Sequence, residues 1–177
     1  MRLRHAYPTL VLAAMTVVIG LSLQVRDARS ACPGVSVQAG VPYTTGSGPV
    51  EVVAADFTGD GIPDLAVTAS NFSNGSGAIS VLPGLATSGV ANGTYGTRID
   101  TSIGGTPYGL AAADLNGDGR PDLIVGDWGS NNVVVLIGTG GGQFAAPVLF
   151  AAGSHPYEVV VLDFNSDGVL DVAVADN

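Results

Sequence analysis

The chain has 177 residues, with six arginines and no lysine against fifteen aspartates and glutamates. Without residues 1–30, which hold four of the arginines, two arginines stand against fourteen acids, a formal charge of −12. A surface that contacts nucleic-acid phosphates needs many cations, so nucleic acid is excluded as a partner. The absence of lysine excludes a P-loop and a Schiff-base lysine. An apolar content of 46% with 12% charged residues favours a folded chain.

Residues 1–30 are predicted to be an export signal. Two arginines stand in the first four positions, an apolar run of about fourteen residues extends from Leu10 to Leu23, and small residues precede a cleavage site after Ser30. A transmembrane anchor is the alternative, but it needs about 20 apolar residues and this run is too short. We therefore expect a mature protein of residues 31–177, secreted or otherwise extracytoplasmic (in the periplasm or at the cell surface), without a membrane span.

Cys32 is the only cysteine, so stability must come from packing or from metal and not from disulfides. Bacterial lipidation of Cys32 is an alternative to a free thiol. A lipid-attachment cysteine directly follows an aliphatic-small-small run at the end of the apolar core, whereas here residues 29–31 are Arg-Ser-Ala. An unpaired cysteine near the mature N-terminus is the favoured interpretation.

A nine-residue pattern, D-x-(N/T)-x-D-G-x-x-D, begins at Asp56, Asp114 and Asp163, with spacings of 58 and 49 residues. The similarity extends beyond these loops. A proline stands seven residues before each leading aspartate, and the repeats start near residues 37, 95 and 144. A period of about 50 residues is typical of solenoids, propellers and arrays.

Each repeat is predicted to consist of short strands separated by turns. An apolar strand leads into each aspartate loop, a second strand leaves it, and a third follows a turn rich in Gly, Asn and Ser. The predicted first strands are 50–55, 109–113 and 158–162, the second strands 65–68, 123–125 and 172–174, and the third strands 78–82 and 133–137. A fourth strand is predicted near Thr94–Ile99 and near Phe144–Phe150.

Four strands in about 50 residues match one propeller blade. The alanine runs at 54–55 and 111–113 suit an inner strand, because blades converge on the axis and leave room only for small side chains. A β-sandwich with internal duplication is the alternative, but sandwiches do not normally repeat in this way. The predicted fold is all-β, with β-propeller blades of four antiparallel strands in an incomplete ring of about two and a half to three repeats.

The aspartate loops are predicted to be metal sites. Oxygens at positions 1, 3, 5 and 9, with the backbone carbonyl of position 7, can surround a hard cation, and glycine at position 6 permits the sharp turn. The predicted ligands are Asp56, Thr58, Asp60, Ile62 and Asp64 in the first loop, Asp114, Asn116, Asp118, Arg120 and Asp122 in the second, and Asp163, Asn165, Asp167, Val169 and Asp171 in the third. A divalent ion would remove the repulsion among these carboxylates.

Calcium is favoured over magnesium because flexible, oxygen-rich loops suit the larger ion. An EF-hand is excluded, since position 12 is valine in all three loops and strands, not helices, flank each loop. Metal-free turns are the alternative, because Asp, Asn and Gly favour turns. Nine of the fourteen mature acids lie in these loops at the same spacing, which favours about three Ca²⁺ sites, one per loop. The first should bind most weakly, because Thr58 replaces the Asn of the others.

The aspartate loops, the preceding prolines and the segment Gly141-Gly142-Gln143-Phe144-Ala145-Ala146-Pro147 together resemble FG-GAP or VCBS-type repeats, which also occur in integrin α-subunit propellers. The resemblance covers about residues 35–177, with a looser copy of the second element at 93–96. It implies a β-propeller with Ca²⁺ in loops between neighbouring blade strands. It does not fix a function, because such repeats occur in adhesins, in secreted binding proteins and in some enzymes.

The 147 mature residues are fewer than four blades would need. We therefore expect the chain to be truncated at its C-terminus, with self-association through open propeller edges as the alternative.

The sequence shows no clear constellation of catalytic groups. There is no G-x-S-x-G elbow, the single mature histidine, His155, is expected in a solvated turn, and Asp60 with Asp64 fits a metal loop better than a glycosidase pair. Trp128 could stack on a sugar, but a packed aromatic at a blade edge is favoured. We expect an exported calcium-binding repeat protein that acts as a binding, adhesion or structural module without its own catalysis, on an unknown extracellular protein or glycan. The alternative is the non-catalytic propeller part of a secreted polysaccharide-active enzyme whose catalytic residues lie beyond residue 177.

Overall fold

The computed structural model describes residues 17–19, 41–71 and 75–177. Cys32 and most of the predicted export signal lie outside these residues. Val17–Ile19 (β1) pairs antiparallel with Val41–Tyr43 (β2). The secondary structure of the described part consists of strands, turns and bends, as the all-β prediction required. No helix in that part is long and apolar enough to cross a membrane.

The first repeat forms one four-stranded antiparallel sheet and a separate hairpin. Its strands are β3 (Pro49–Ala55), β4 (Asp64–Asn71), β5 (Ser76–Leu82), β6 (Gly84–Thr87), β7 (Val90–Tyr95) and β8 (Ile99–Ser102). The sheet has the order β3-β4-β5-β8, and β6 pairs with β7. This is the predicted blade with an additional hairpin between its third and fourth strands.

The second repeat has the same arrangement, and the third provides two strands. The strands are β9 (Pro107–Ala113), β10 (Asp122–Asp127), β11 (Asn132–Leu136), β12 (Gly138–Gly140), β13 (Gln143–Phe144), β14 (Val148–Ala151), β15 (Pro156–Leu162) and β16 (Asp171–Asp176). The sheet order is β9-β10-β11-β14, β12 pairs with β13, and β15 pairs with β16. The blades described here do not close a ring.

The predicted fourth strands near Thr94–Ile99 and Phe144–Phe150 overlap the observed ones but begin too early in the chain. The fourth strands are β8 and β14, and hairpin residues occupy the start of each predicted segment. The hairpins begin where a glycine passes against the aspartate loop: a Cβ at Gly84 would collide with the Pro63 carbonyl, and one at Gly138 with the Pro121 carbonyl. These contacts join distant parts of the repeat, so a local apolar pattern does not reveal them.

The first strands of the three repeats lie side by side, with β9 in contact with both β3 and β15. The backbones approach closely at Gly109, where a Cβ would lie 2.7 Å from the Tyr157 carbonyl oxygen. This is the inner-strand position that the small residues predicted. The main core lies between the two four-stranded sheets and includes Phe57, Ile79, Val81, Leu123 and Val134.

The outer face of the third repeat is open. Phe57 of the first aspartate loop is 3% exposed, because it packs edge-on against Phe144 of the following blade with ring centroids 6.1 Å apart. Its counterpart Phe164 is 52% exposed. The contacts that bury one repeat therefore come from the next repeat along the chain, as expected of propeller blades.

Candidate metal centres

The three aspartate loops occupy equivalent places. Residues 56–64 join β3 to β4, residues 114–122 join β9 to β10, and residues 163–171 join β15 to β16. Each loop therefore connects the inner strand of its repeat to the second strand. Because the inner strands lie side by side, the loops stand at the same end of the three repeats.

Each loop curls around the carboxylate of its leading aspartate. Asp56 Oδ1 accepts hydrogen bonds from the amides of Gly59 (2.7 Å) and Asp60 (3.1 Å), and Oδ2 accepts one from Gly61 (2.8 Å). Asp114 accepts the equivalent three bonds in the second loop. Asp163 accepts the bonds from positions 5 and 6 of the third loop.

Glycine at position 6 makes this curl possible. Its φ is +81° in the first loop, +82° in the second and +87° in the third, a region that side chains with a Cβ avoid. Position 4 also has a positive φ, and in the third loop it is Ser166, at +62°. The left-handed residue at position 4 is a feature that the sequence analysis missed.

The middle aspartates hold the second half of each loop. Asp60, Asp118 and Asp167 each accept a hydrogen bond from the amide at position 7, at 2.8, 2.9 and 2.8 Å. The Oδ1 atoms of Asn116 and Asn165 accept from the amide at position 5, whereas the Thr58 hydroxyl donates to Asp56 Oδ1 at 3.4 Å. The first loop therefore differs from the others at Thr58, the residue that was expected to weaken its metal site.

The ninth residue anchors the loop to the following hairpin. Asp64 and Asp122 are fully buried. In each, Oδ2 accepts from an amide near the start of its own loop, Thr58 at 2.7 Å and Leu115 at 2.9 Å, while Oδ1 accepts at 2.7 Å from the glycine that begins the hairpin. Asp171 is only partly buried and accepts from the Phe164 amide at 3.1 Å. The sequence predicted these aspartates as metal ligands and did not reveal this anchoring.

The FG-GAP-like repeat family model matches residues 72–125 and 114–174, and the FG-GAP repeat model matches residues 39–82. The chain belongs to the FG-GAP-like repeat family. All three aspartate loops lie inside the matched segments. No curated protein and no solved structure matches the chain.

The glycine pair of the FG-GAP-like element contacts the aspartate loop of the preceding blade. The amide of Gly141 donates to the Thr58 carbonyl at 3.1 Å, and the amide of Gly142 donates to the Phe57 carbonyl at 2.9 Å. These bonds and the Phe57–Phe144 contact dock hairpin β12–β13 on the first loop. The first aspartate loop and the Gly141–Gly142 pair, which the sequence presents as separate motifs, therefore form one contact between neighbouring blades.

The donor set of each FG-GAP-like loop has the chemistry of a hard-cation site: carboxylates, an amide or hydroxyl oxygen, and a backbone carbonyl. Within residues 41–71 and 75–177, no three side chains of His, Cys, Asp or Glu converge on a common point as metal ligands do. The loop carboxylates accept hydrogen bonds from amides of their own loop, and a carboxylate oxygen retains further lone pairs beyond one such bond.

Proposed function

We propose that the three aspartate loops bind Ca²⁺ and that this FG-GAP-like chain serves outside the cytoplasm as a binding or adhesion module without catalysis of its own. The observation that supports the calcium proposal is that one loop shape recurs three times, with acidic residues at the same positions within each nine-residue loop. Repeats of this family are typical of extracellular or extracytoplasmic proteins, which supports the proposed location.

The charge of the loops supports a cation. Nine of the acids beyond residue 30 lie in the loops. One of the two arginines there, Arg98, pairs with Asp100 of β8 at 3.0 Å, and the other, Arg120, approaches Asp118 at 3.7 Å. The loops therefore carry a large excess of negative charge, which a divalent ion in each loop would offset.

The residues that would hold the ion are those of positions 1, 3, 5 and 9, with the carbonyl of position 7. The curled backbone already gathers positions 1 and 5, because the leading carboxylate binds the amide of the middle aspartate. Since position 9 also holds the following hairpin, an ion that fixed this carboxylate would stiffen the link between loop and blade. The ion itself would supply a doubly positive charge.

Thermal unfolding with and without calcium tests the proposal. At a hundredfold excess over Kd, one site that binds only the folded state stabilises it by about 2.7 kcal/mol, and three sites by about 8 kcal/mol. Addition of a chelator should therefore lower the melting midpoint by more than about 10 °C. Acidification below about pH 4 should have the same effect, because protonated carboxylates do not bind the ion.

The control is the variant Asp100→Asn, which loses one negative charge outside the loops and should respond to the chelator as the wild type does. Superimposable melting curves with and without calcium, in samples whose metal content has been measured, would contradict the proposal and leave the loops as turns.

A further inference from the structure

A cavity of about 210 Å³ lies at the opposite end of the inner strands from the aspartate loops. It is lined by Val50, Glu51, Tyr108, Tyr157 and Glu158. These residues directly follow the prolines that begin β3, β9 and β15. One cavity thus collects residues from the same register of all three repeats.

The three repeats contribute different side chains to this cavity from the same two positions after the proline. The segments after the three prolines are Val-Glu, Tyr-Gly and Tyr-Glu, and Glu51 and Glu158 are the only glutamates of the chain. Gly109 stands where the other two repeats have glutamate. A Cβ there would lie 2.9 Å from the Glu158 Cα, so the missing side chain lets β15 approach β9.

A row of aromatic rings begins at the two tyrosines that line the cavity. The Tyr108 ring lies 5.0 Å from that of Tyr157 and 6.2 Å from that of Trp128, which in turn lies 4.4 Å from the His155 ring. Tyr157 is 50% and Trp128 37% exposed. His155 was expected in a solvated turn; it is partly buried, and its ring packs at a tilt against that of Trp128. Trp128, expected as a packed aromatic at a blade edge, is partly exposed and contacts the rings of Tyr108 and His155.

Glu51 and Glu158 line the same cavity, and the negative charge of one is felt by the other. Burial first, and then the negative charge of Glu158, raise the pKa of Glu51, while the hydrogen bond from the Leu110 amide to Glu51 Oε2, at 2.8 Å, acts in the opposite direction. Among the described residues both arginines are engaged elsewhere, Arg98 with Asp100 and the Thr45 carbonyl, and Arg120 with Asp118.

We propose that this cavity binds a small organic cation, a protonated amine or a guanidinium group, between the carboxylates of Glu51 and Glu158 and against the Tyr108–Tyr157 pair. Aromatic rings attract such cations, and charged donors form the strongest hydrogen bonds to carboxylates. A neutral ligand would leave the carboxylates unbalanced. The site uses no aspartate-loop residue, so it can fail while the calcium proposal stands, and the reverse also holds.

Fluorescence titration tests the cavity, because Trp128 is the only tryptophan of the chain and belongs to the row of rings. The probes form two matched pairs: N-acetyl-arginine methylamide with its uncharged citrulline counterpart, and glucosamine with glucose. The charged member of at least one pair should bind at least about tenfold more tightly than its neutral partner, a difference of about 1.4 kcal/mol. Binding of the arginine probe alone would indicate a peptide side chain, and binding of glucosamine alone an amino sugar.

Three variants complete the test. Glu158→Gln removes an exposed carboxylate, and Glu51→Gln keeps an oxygen that can accept the Leu110 amide. Each should reduce affinity for the charged probe about tenfold or more, with little effect on the neutral probe. Asp100→Asn, with the same loss of charge on β8, should leave the affinity unchanged.

Circular dichroism establishes that each variant is folded. Equal binding of charged and neutral probes, binding of neither charged probe, or an equal loss of affinity in Asp100→Asn would each overturn the proposal. Equal binding of glucose and glucosamine, with no charge-selective binding of the arginine probe, would overturn it in favour of sugar recognition through the rings alone.

Discussion

Replacement of Asp122 by alanine separates anchoring from metal binding at position 9 of the aspartate loop. Asp122 is fully buried and accepts amide hydrogen bonds from Leu115 at 2.9 Å and from Gly138 at 2.7 Å. A hydrogen bond to a charged group contributes about 1.5–3 kcal/mol. Loss of both bonds should lower the free energy of unfolding by about 3–6 kcal/mol, a large part of the roughly 5–15 kcal/mol typical of a domain.

The matched variant is Asp171→Ala. Asp171 holds the same position in the third loop, but it is only partly buried and accepts one bond in the described structure, from Phe164 at 3.1 Å. Because water screens this longer, exposed bond, the replacement should cost only about 1 kcal/mol. Urea denaturation of both variants, followed by the fluorescence of Trp128 in the presence of chelator, measures the difference without any contribution from calcium.

If position 9 served the ion alone, removal of its charge in chelator would relieve repulsion, and both variants would be as stable as the wild type or more so. Equal free energies of unfolding for Asp122→Ala and Asp171→Ala would refute the anchoring role. A loss confined to calcium-containing buffer would refute it as well.

Two further predictions concern hairpin β12–β13 and the cavity that contains Glu51 and Glu158. Gly142→Ala should cost about 2 kcal/mol, because φ is +73° and the new Cβ would lie 3.0 Å from Ile99 Cδ1. Gly141→Ala should cost only about 1 kcal/mol, because φ is +63° but the space around the residue is open. Equal midpoints of urea denaturation for the two variants would contradict this prediction. Glu51→Gln should be more stable than the wild type at pH 7. The pKa of Glu51 is raised in the folded state, so its contribution to stability is complete below the unfolded pKa of 4.5 and is lost as the pH rises through the folded pKa. Glutamine does not ionise and therefore avoids this loss. Thermal melts in chelator should show that this difference vanishes near pH 4, and a difference independent of pH would contradict it.

Much of the fold could be predicted because its determinants are local. Each inner strand begins at a proline and continues as an apolar run, and both signals are visible in the sequence. They predicted β3 at 50–55, and the strand is found at Pro49–Ala55. The hairpins could not be predicted in the same way. Their first glycines are required by the carbonyls of Pro63 and Pro121, about twenty residues earlier in the chain, and only the folded backbone shows this approach.

The candidate site divides similarly. The glycine of position 6 predicted the curl of the aspartate loops, because the preference of glycine for positive φ is a local property of that residue. The anchoring by Asp64 and Asp122 escaped prediction, since the partner glycines lie in the following hairpin. Glu51 and Glu158 are 107 residues apart in the chain, and they line one cavity because β9 contacts both of their strands. Their common register after a proline was a signal that could have joined them.

Calorimetric titration with Ca²⁺ tests the central claim most directly, since it counts the sites. The wild type should bind three ions, each with a Kd of roughly 10⁻⁴–10⁻³ M, the range of extracellular modules. Asp118→Ala should bind two, because only the second loop loses its middle carboxylate, and Asp100→Asn should still bind three. No binding by the wild type, or the same stoichiometry in Asp118→Ala as in the wild type, would contradict the assignment of the aspartate loops as calcium sites.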